Sequence, residues 1–470
     1  MKIKRLIEYG LYLLAFLLPL ETRWIIKAGD LRGYSEYSTI SLYGTDILLI
    51  LLLIIFIIFS IKKEYTVYSI QHTVYGPWFF IAILELAAFV SIFFAADKSV
   101  ATFSYLRLLL GIGLFWLVTS ASYDQMKLAA SLAAGFFIQA GLGIWQFLSQ
   151  STFASKWLGM ASHDPWAMGG ESVIETLGGG RWLRAYGGLD HPNILGGILV
   201  IIILMAIYWF LAIARTMYDR YKNEKDLSSV PVKSIIFGIV VFYSSLIIFA
   251  SGLFFSFSRS AWLALAAGLF IFTILLIYKQ EWIGGIQLLK VVITLGAVFF
   301  TWFLIYGNVA STRALGSGRL EDKSVSERAL YYNDFKKVIS NHWLAGVGMG
   351  NYTLAVYKND PGGASYRYQP VHNVFLLVWS ETGILGLLAF AGLFVYLIIK
   401  NFLEIGNWKL EINKSGNKAS NLILSAPIII SLIVLLSLDH WLWSLHFGIL
   451  SFWFIIGYSA ADHKRHDSLG

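Results

Sequence analysis

Ser256-Phe257-Ser258-Arg259-Ser260-Ala261-Trp262 joins two apolar runs, 235–255 and 260–278. Each is close to the roughly 20 residues that a helix needs to cross the hydrocarbon core of a bilayer. The stretch therefore reads as two membrane spans meeting in a tight turn. Such a turn needs no cation, and an arginine at a membrane face is costly unless it is solvated, paired or used. The three flanking serines add hydroxyls and little volume, which suits a pocket for an anion. The rival reading is an arginine that snorkels to water from a short turn.

Working outward, the same pattern fills the chain. Of its 470 residues, 57% are hydrophobic and 14% charged, against about 25% charged in soluble domains. About twelve apolar spans are predicted, at 6–20, 46–61, 76–95, 101–120, 128–148, 190–212, 235–255, 260–278, 288–306, 373–399, 421–438 and 442–460. Runs such as Ile47–Ile61 do not alternate, so helices and not barrel strands are expected. The fold class is an all-α integral membrane protein, a single polytopic domain over 1–470. The N-terminal run after Lys2, Lys4 and Arg5 lacks a small-residue cleavage site and reads as a retained first helix.

One side of this topology gathers roughly twice as many Lys and Arg as the other, so both termini are expected in the cytoplasm. The same bias explains the net charge of +8; no nucleic-acid motif accompanies it. There are no cysteines, which removes disulfides, thiolate metal sites and cysteine nucleophiles. Two long segments then face outward, 149–189 and 307–372. Within the second, Ser324–Ser340 carries apolar residues at helical spacing and predicts an amphipathic helix.

The polar candidates cluster on that outer side. Arg184 precedes Asp190-His191-Pro192-Asn193, where Asp190 or Asn193 would cap the sixth span. His372 and Asn373 open the tenth span, and Glu381-Thr382-Gly383-Ile384-Leu385-Gly386 follows two turns on. Asp439-His440-Trp441 turns between the last two spans. Imidazole exchanges a proton near neutral pH, whereas a guanidinium keeps its charge. If these groups meet, the arginines hold charge and His372 moves a proton. Gly346-Val347-Gly348-Met349-Gly350-Asn351 lacks the strand context of a nucleotide loop and reads as a tight turn returning the chain to the membrane. His163-Asp164-Pro165-Trp166 also reads as a turn. Glu85 is expected to have a structural role, with Arg107 as a partner. No residue set with clear metal-ligand spacing stands out, so neither metal nor cofactor is expected.

In order, Arg184…Gly187…His191-Pro192-Asn193, Ser258-Arg259-Ser260-Ala261-Trp262, Arg328…Gly346–Tyr352 and His372-Asn373…Glu381–Gly386 resemble the O-antigen ligase and polymerase superfamily. Ser91…Asp97 running into Arg107 resembles its early spans. The resemblance implies a C-type glycosyltransferase fold in the bacterial inner membrane. It implies transfer of a glycan from undecaprenyl pyrophosphate to an acceptor on the outer face, without metal. Arg184 and Arg259 match arginines assigned there to the pyrophosphate, and His372 matches the assigned catalytic histidine. Arg328, His191, Asn193, Asn373 and Asp439 are secondary candidates. The acceptor would be a glycan, lipid A core or another hydroxyl, and membrane lipid surrounds the site. The stretch Pro361–Pro370 departs from the pattern as an insert. A polymerase joining lipid-linked repeats, a protein O-glycosyltransferase and, without inverted repeats to support it, an anion transporter are the alternatives.

Overall fold

The computed structural model describes residues 2–61, 75–167, 171–176, 178–224, 232–316, 318–411 and 425–461. Several residues behind the charge-bias argument (Lys62, Lys63, Lys225, Lys414, Lys418, Lys464 and Arg465) lie outside them. The described chain is mostly helical. In order it forms α1 (Lys2–Leu17), α2 (Gly44–Ile61), α3 (Tyr75–Phe94), α4 (Lys98–Ser120), α5 (Gln125–Ser149), α6 (Pro192–Glu224), α7 (Val232–Phe255) and α8 (Arg259–Tyr278). Then come α9 (Trp282–Leu315), α10 (Arg319–His342), α11 (Tyr352–Asn359), α12 (Val374–Glu411), α13 (Ser425–Leu438), α14 (Trp441–Ser444) and α15 (His446–Ala460). Among the described residues, eight helices are long and apolar enough to cross a membrane, and three shorter apolar helices, at 44–60, 425–438 and 446–460, accompany them.

The core is built around α6, the most buried of the long apolar helices, which packs against α5, α7, α8, α9 and α13. Glycines let the neighbours approach: a Cβ on Gly196 would stand 2.7 Å from Ser256 Oγ, and one on Gly268 would stand 2.5 Å from Ser431 Oγ. In a bilayer such close contacts, and not expulsion of water, hold helices together.

Two features depart from the purely helical expectation. Arg23–Asp30 (β1) and Tyr34–Tyr43 (β2) form an antiparallel hairpin, and Val173–Glu175 (β3) pairs with Arg181–Leu183 (β4) inside the 149–189 segment. The first hairpin fell in what read as a loop between the first two spans. Its alternating aromatic, β-branched and polar residues and its Arg32-Gly33 turn carry a strand signal that span-length scanning passes over. The hairpin is tied down by Arg32 Nη1 donating to the Pro361 carbonyl at 2.9 Å and by Tyr37 Oη donating to Gln369 Oε1 at 2.7 Å. The unusual Pro361–Pro370 stretch thus meets this hairpin.

The long segment 307–372 is more helical than expected. α9 runs on to Leu315 through a kink at Tyr306, and α10 starts at Arg319, ahead of the predicted amphipathic stretch. The glycine loop does return the chain to the helical layer. Gly346, Gly348 and Gly350 all take positive φ, and the loop enters a break in α12 at Gly383, whose φ is 75°. Val347 N donates to the Ser380 carbonyl at 2.8 Å, Gly348 N to that of Glu381 at 3.0 Å, and Ile384 N to that of Trp343 at 3.0 Å. Broken helical backbone at membrane depth must be re-satisfied by protein, and the loop does this. A Cβ on Gly383 would lie 2.0 Å from the Leu344 carbonyl oxygen. Gly383→Ala is therefore expected to lower the melting temperature in detergent by several degrees, from clash plus left-handed strain. Scanning fluorimetry with an unchanged midpoint would contradict this account of the break.

Candidate active site

The turn Ser256–Ser260 explains why arginines gather here. Phe257 takes a positive φ of 45°, a strained conformation for a bulky residue. That turn aims two consecutive carbonyls at two guanidinium groups. Arg184 Nε donates to Ser256 O at 2.8 Å, and Arg313 Nε donates to Phe257 O at 3.0 Å. Ser258 caps α8 by accepting from Ala261 N. The serines here form the turn and the cap.

Arg184 is 3% exposed. Its other donors reach Ser172 Oγ at 2.6 Å and Asn193 Oδ1 at 2.7 Å. All three acceptors are neutral, so among the described residues the buried charge has no counter-ion in direct contact. Burial, and then the Arg313 guanidinium, push Arg184 well below its ordinary pKa. Arg259 turns inward rather than snorkelling freely: its Nη2 lies 3.1 Å from Glu321 Oε2. The other oxygen of Glu321 accepts from Arg313 Nη1 at 2.5 Å. Arg328 has no carboxylate partner among the described residues and lines the same region.

Asn193 links the cations to the histidines. Its amide Nδ2 donates to Asp439 Oδ2 at 2.9 Å. Asp439 Oδ1 accepts from His440 N at 2.8 Å. The rings of His372 and His440 meet edge to face, with centroids 4.9 Å apart, and Tyr331 stacks on His372 at 5.3 Å. Burial alone would raise the Asp439 carboxyl, but His440, His372, His191 and the Asn193 amide outweigh it and bring it to about 2. His440 and His191 are each pushed down to about 3, chiefly by burial. His372 is lowered too: burial leads, the Asp439 carboxylate opposes it, and Arg328 adds to it.

A cavity of about 590 Å³ brings Arg184, Arg313, Arg328, His191, Asn193, His372, Asp439 and His440 to one surface. Arg259 lines an adjoining cavity of about 120 Å³ that shares Asn193, Arg313 and Arg328 with the larger one. Most of the candidates drawn from sequence therefore converge. Asn373 does not line the cavity; it caps α12 at Leu376 N and donates to the Ser437 carbonyl. Asp190 lines the cavity beside the buried Glu21; burial and charge repulsion with a neighbouring carboxylate push both carboxyls up. His191 Nδ1, not a carboxyl, accepts from Asn193 N.

Arg313 and Glu321 were not singled out from the sequence, because both lay in a segment read as loop. Only the eight-residue spacing of opposite charges hinted at them. From the sequence His440 stands only in a turn between the last two spans; in the structure it lines the cavity and is 7% exposed. Atoms of His372, Asp439 and His440 also lie within 4.8 Å of one another, close enough to present ligands to a cation. Sequence spacing could not reveal that trio, since His372 and Asp439 belong to different elements. Elsewhere one expectation is adjusted and the turn at 163–166 holds. Glu85 accepts from the Tyr105 hydroxyl at 3.3 Å and makes no bond to Arg107, whose guanidinium lies over the Phe103 and Tyr43 rings. His163 bonds Glu171 at 2.7 Å and stacks on Tyr186, while Asp164 closes its turn through Trp166 N.

Buried arginines beside histidines and a carboxylate, in a mostly helical chain with membrane-length helices, form an arrangement that can hold an anionic group and move a proton next to it. Residues 244–391 match the family model Wzy_C, described as O-antigen ligase. That stretch, which contains Arg259, Arg313, Glu321, Arg328 and His372, is similar to the O-antigen ligase family. No curated protein matches the chain.

Proposed function

We propose that this protein transfers a glycan from undecaprenyl pyrophosphate to an acceptor hydroxyl on the outer face of the bacterial inner membrane, as a ligase. The observation that carries the reading is Arg184: a buried guanidinium bonded only to neutral oxygens, on the same cavity wall as His372. A buried cation without a partner is strongly unfavourable, and a diphosphate supplies the missing charge. Arginine suits it because its planar fork donates two bonds at once.

In this reading His372 takes the proton of the acceptor hydroxyl. The oxygen bonds to the anomeric carbon, the bond from that carbon to the diphosphate breaks, and the diphosphate leaves on its polyprenol. Negative charge grows on the leaving phosphate. Cations already in place stabilise that state more than the ground state, without reorganisation. Asp439 stabilises the imidazolium that forms on His372, and Asn193 fixes Asp439. The polyprenol lies along the apolar helix surfaces. Both termini are then cytoplasmic, and the reaction needs no metal.

The test is transfer of a labelled glycan from undecaprenyl pyrophosphate by purified protein in proteoliposomes. Label on lipid A core or another acceptor supports the ligase; ladders of lipid-linked repeats would make it a polymerase, and label on protein a protein glycosyltransferase. Glycan entering vesicles with no bond transferred would make it a transporter. Activity abolished by chelator and restored by a divalent ion would assign His372, Asp439 and His440 to a metal.

The pH profile gives a second check. The acid limb of kcat/KM reports the base in the free enzyme. Because burial lowers His372, that limb is expected below the ordinary histidine value of about 6.5. Asp439 favours the imidazolium, so Asp439→Asn moves the limb to lower pH. Arg328 disfavours it, so Arg328→Gln moves the limb upward. Opposite shifts in the two variants mark His372 as the titrating group; equal profiles would remove it from that role.

A further inference from the structure

Glu321 is a buried carboxylate placed between two arginines that face the proposed phosphate site. Oε1 accepts from Arg313 Nη1 at 2.5 Å. Oε2 faces Arg259 Nη2 at 3.1 Å yet has no hydrogen bond of good direction. The carboxylate is 4% exposed, so this half-made contact is an expensive way to keep a charge out of water. Arg313 itself is 8% exposed and lines the large cavity with Arg184 and His372. It also lines the smaller one with Arg259. With Arg328, it is one of two guanidinium groups common to both cavities, and the one of the two that bonds Glu321.

The chain around Glu321 is built to turn back. α9 ends at Gly316 with φ 66°, and Gly318 takes φ 111° before α10 begins. Glycines of positive φ thus stand at the end of α9 and at the start of α10, and Glu321 lies against Arg313, eight residues earlier. The first turn of α10 is held from outside by Arg319, whose Nη2 lies 2.8 Å from Glu175 Oε1 on β3. That pair is exposed and weak, so Glu321 is the main tie between this turn and the cation cluster.

We infer that Arg313 is a third diphosphate-binding arginine and that Glu321 occupies the anion position between Arg259 and Arg313 until the donor's diphosphate displaces it. This rests on the diphosphate reading above and adds to it a residue and an exchange step. A carboxylate has two oxygens and one charge, whereas a diphosphate presents more of both to the same donors. Two guanidinium groups that Glu321 satisfies only in part are then satisfied in full. Without a ligand, Glu321 keeps the arginines close together against their mutual repulsion, ready for the anion. On displacement the first turn of α10 loses its inner tie and shifts outward.

The experiment uses inorganic pyrophosphate as probe and the full chain in detergent, with binding followed by calorimetry. Glu321→Gln removes the competing charge at constant shape. It is expected to tighten binding about ten-fold, the factor for a competent state populated to roughly one-tenth. Arg313→Ala is expected to weaken binding roughly 10- to 100-fold, as loss of a charged hydrogen bond does. Hydrogen exchange on the unaltered protein needs no variant to fold: amides of 319–325 are expected to exchange faster when pyrophosphate is bound, opposite to ordinary ligand protection. Unchanged or weaker binding in Glu321→Gln, slower exchange at 319–325, or no pyrophosphate binding at all would each overturn the inference. Binding and exchange as expected, with no glycan transferred in proteoliposomes, would leave it standing and sink the transferase reading alone.

Discussion

Alanine in place of His372 is expected to lower glycan transfer by about 10²–10⁴-fold, the usual range for loss of a general base, while diphosphate binding stays near its original strength. The split follows from geometry. The donors proposed for the phosphate come from the 184, 259 and 313 positions, and none of them bonds to His372. Its Nδ1 has no hydrogen-bond partner, so the truncation breaks no buried bond there. What goes is the stack on Tyr331, the edge contact with His440 and a backbone contact with Pro370, a modest loss. His440 stands close enough to take over part of the task. Its Nδ1 faces Ser444 Oγ at 2.7 Å, and that hydroxyl donates to the His440 carbonyl at 3.1 Å. Any residual activity in the alanine variant is expected to vanish when His440 is also replaced. Single-turnover assays with labelled donor decide it: turnover like the unaltered protein in His372→Ala would end the base assignment.

What the sequence revealed and what it hid have physical causes. Long apolar runs are legible because a bilayer imposes one length and one composition on each span. The helices accordingly fall close to the runs from 6–20 through 442–460. The turn at Arg259 was legible for the same reason, since a cation there breaks a strong rule. Arg313 and Glu321 break none. A charged pair beyond the apolar part of α9 reads as ordinary solvated loop, and only tertiary packing makes it buried. The hairpin 23–43 was missed because two short strands leave no apolar run to find. Asn193 read as a helix cap because its neighbours are local, whereas its partners Arg184 and Asp439 are brought to it by two distant segments, those that follow β4 and α13. In each case sequence displays constraints from the solvent and conceals those from distant parts of the chain.

Replacing Arg184 separates its two possible roles more cleanly than any other substitution. A guanidinium kept for structure should stabilise the fold; one kept for an anion should cost stability without its ligand. Its three acceptors, Ser256 O, Ser172 Oγ and Asn193 Oδ1, lose a donor in Arg184→Met, at about 1–3 kcal/mol for each that stays unsatisfied. Against this stands the desolvation of a charge without a contacting counter-ion, several kcal/mol even after relaxation. The Arg313 guanidinium adds repulsion. The two sides are of similar size, so the melting temperature without ligand is expected to stay within a few degrees or to rise. Transfer should nevertheless fall by about 10²–10³-fold, as when one donor to a developing oxyanion is removed. Stabilisation by added pyrophosphate should disappear with it. Arg184→Lys keeps a charge but cannot reach three acceptors and a phosphate together, so most of the loss in transfer should remain. A Met variant that melts far lower yet transfers glycan normally would reverse the assignment, making Arg184 a strut between the Ser256 turn and α6.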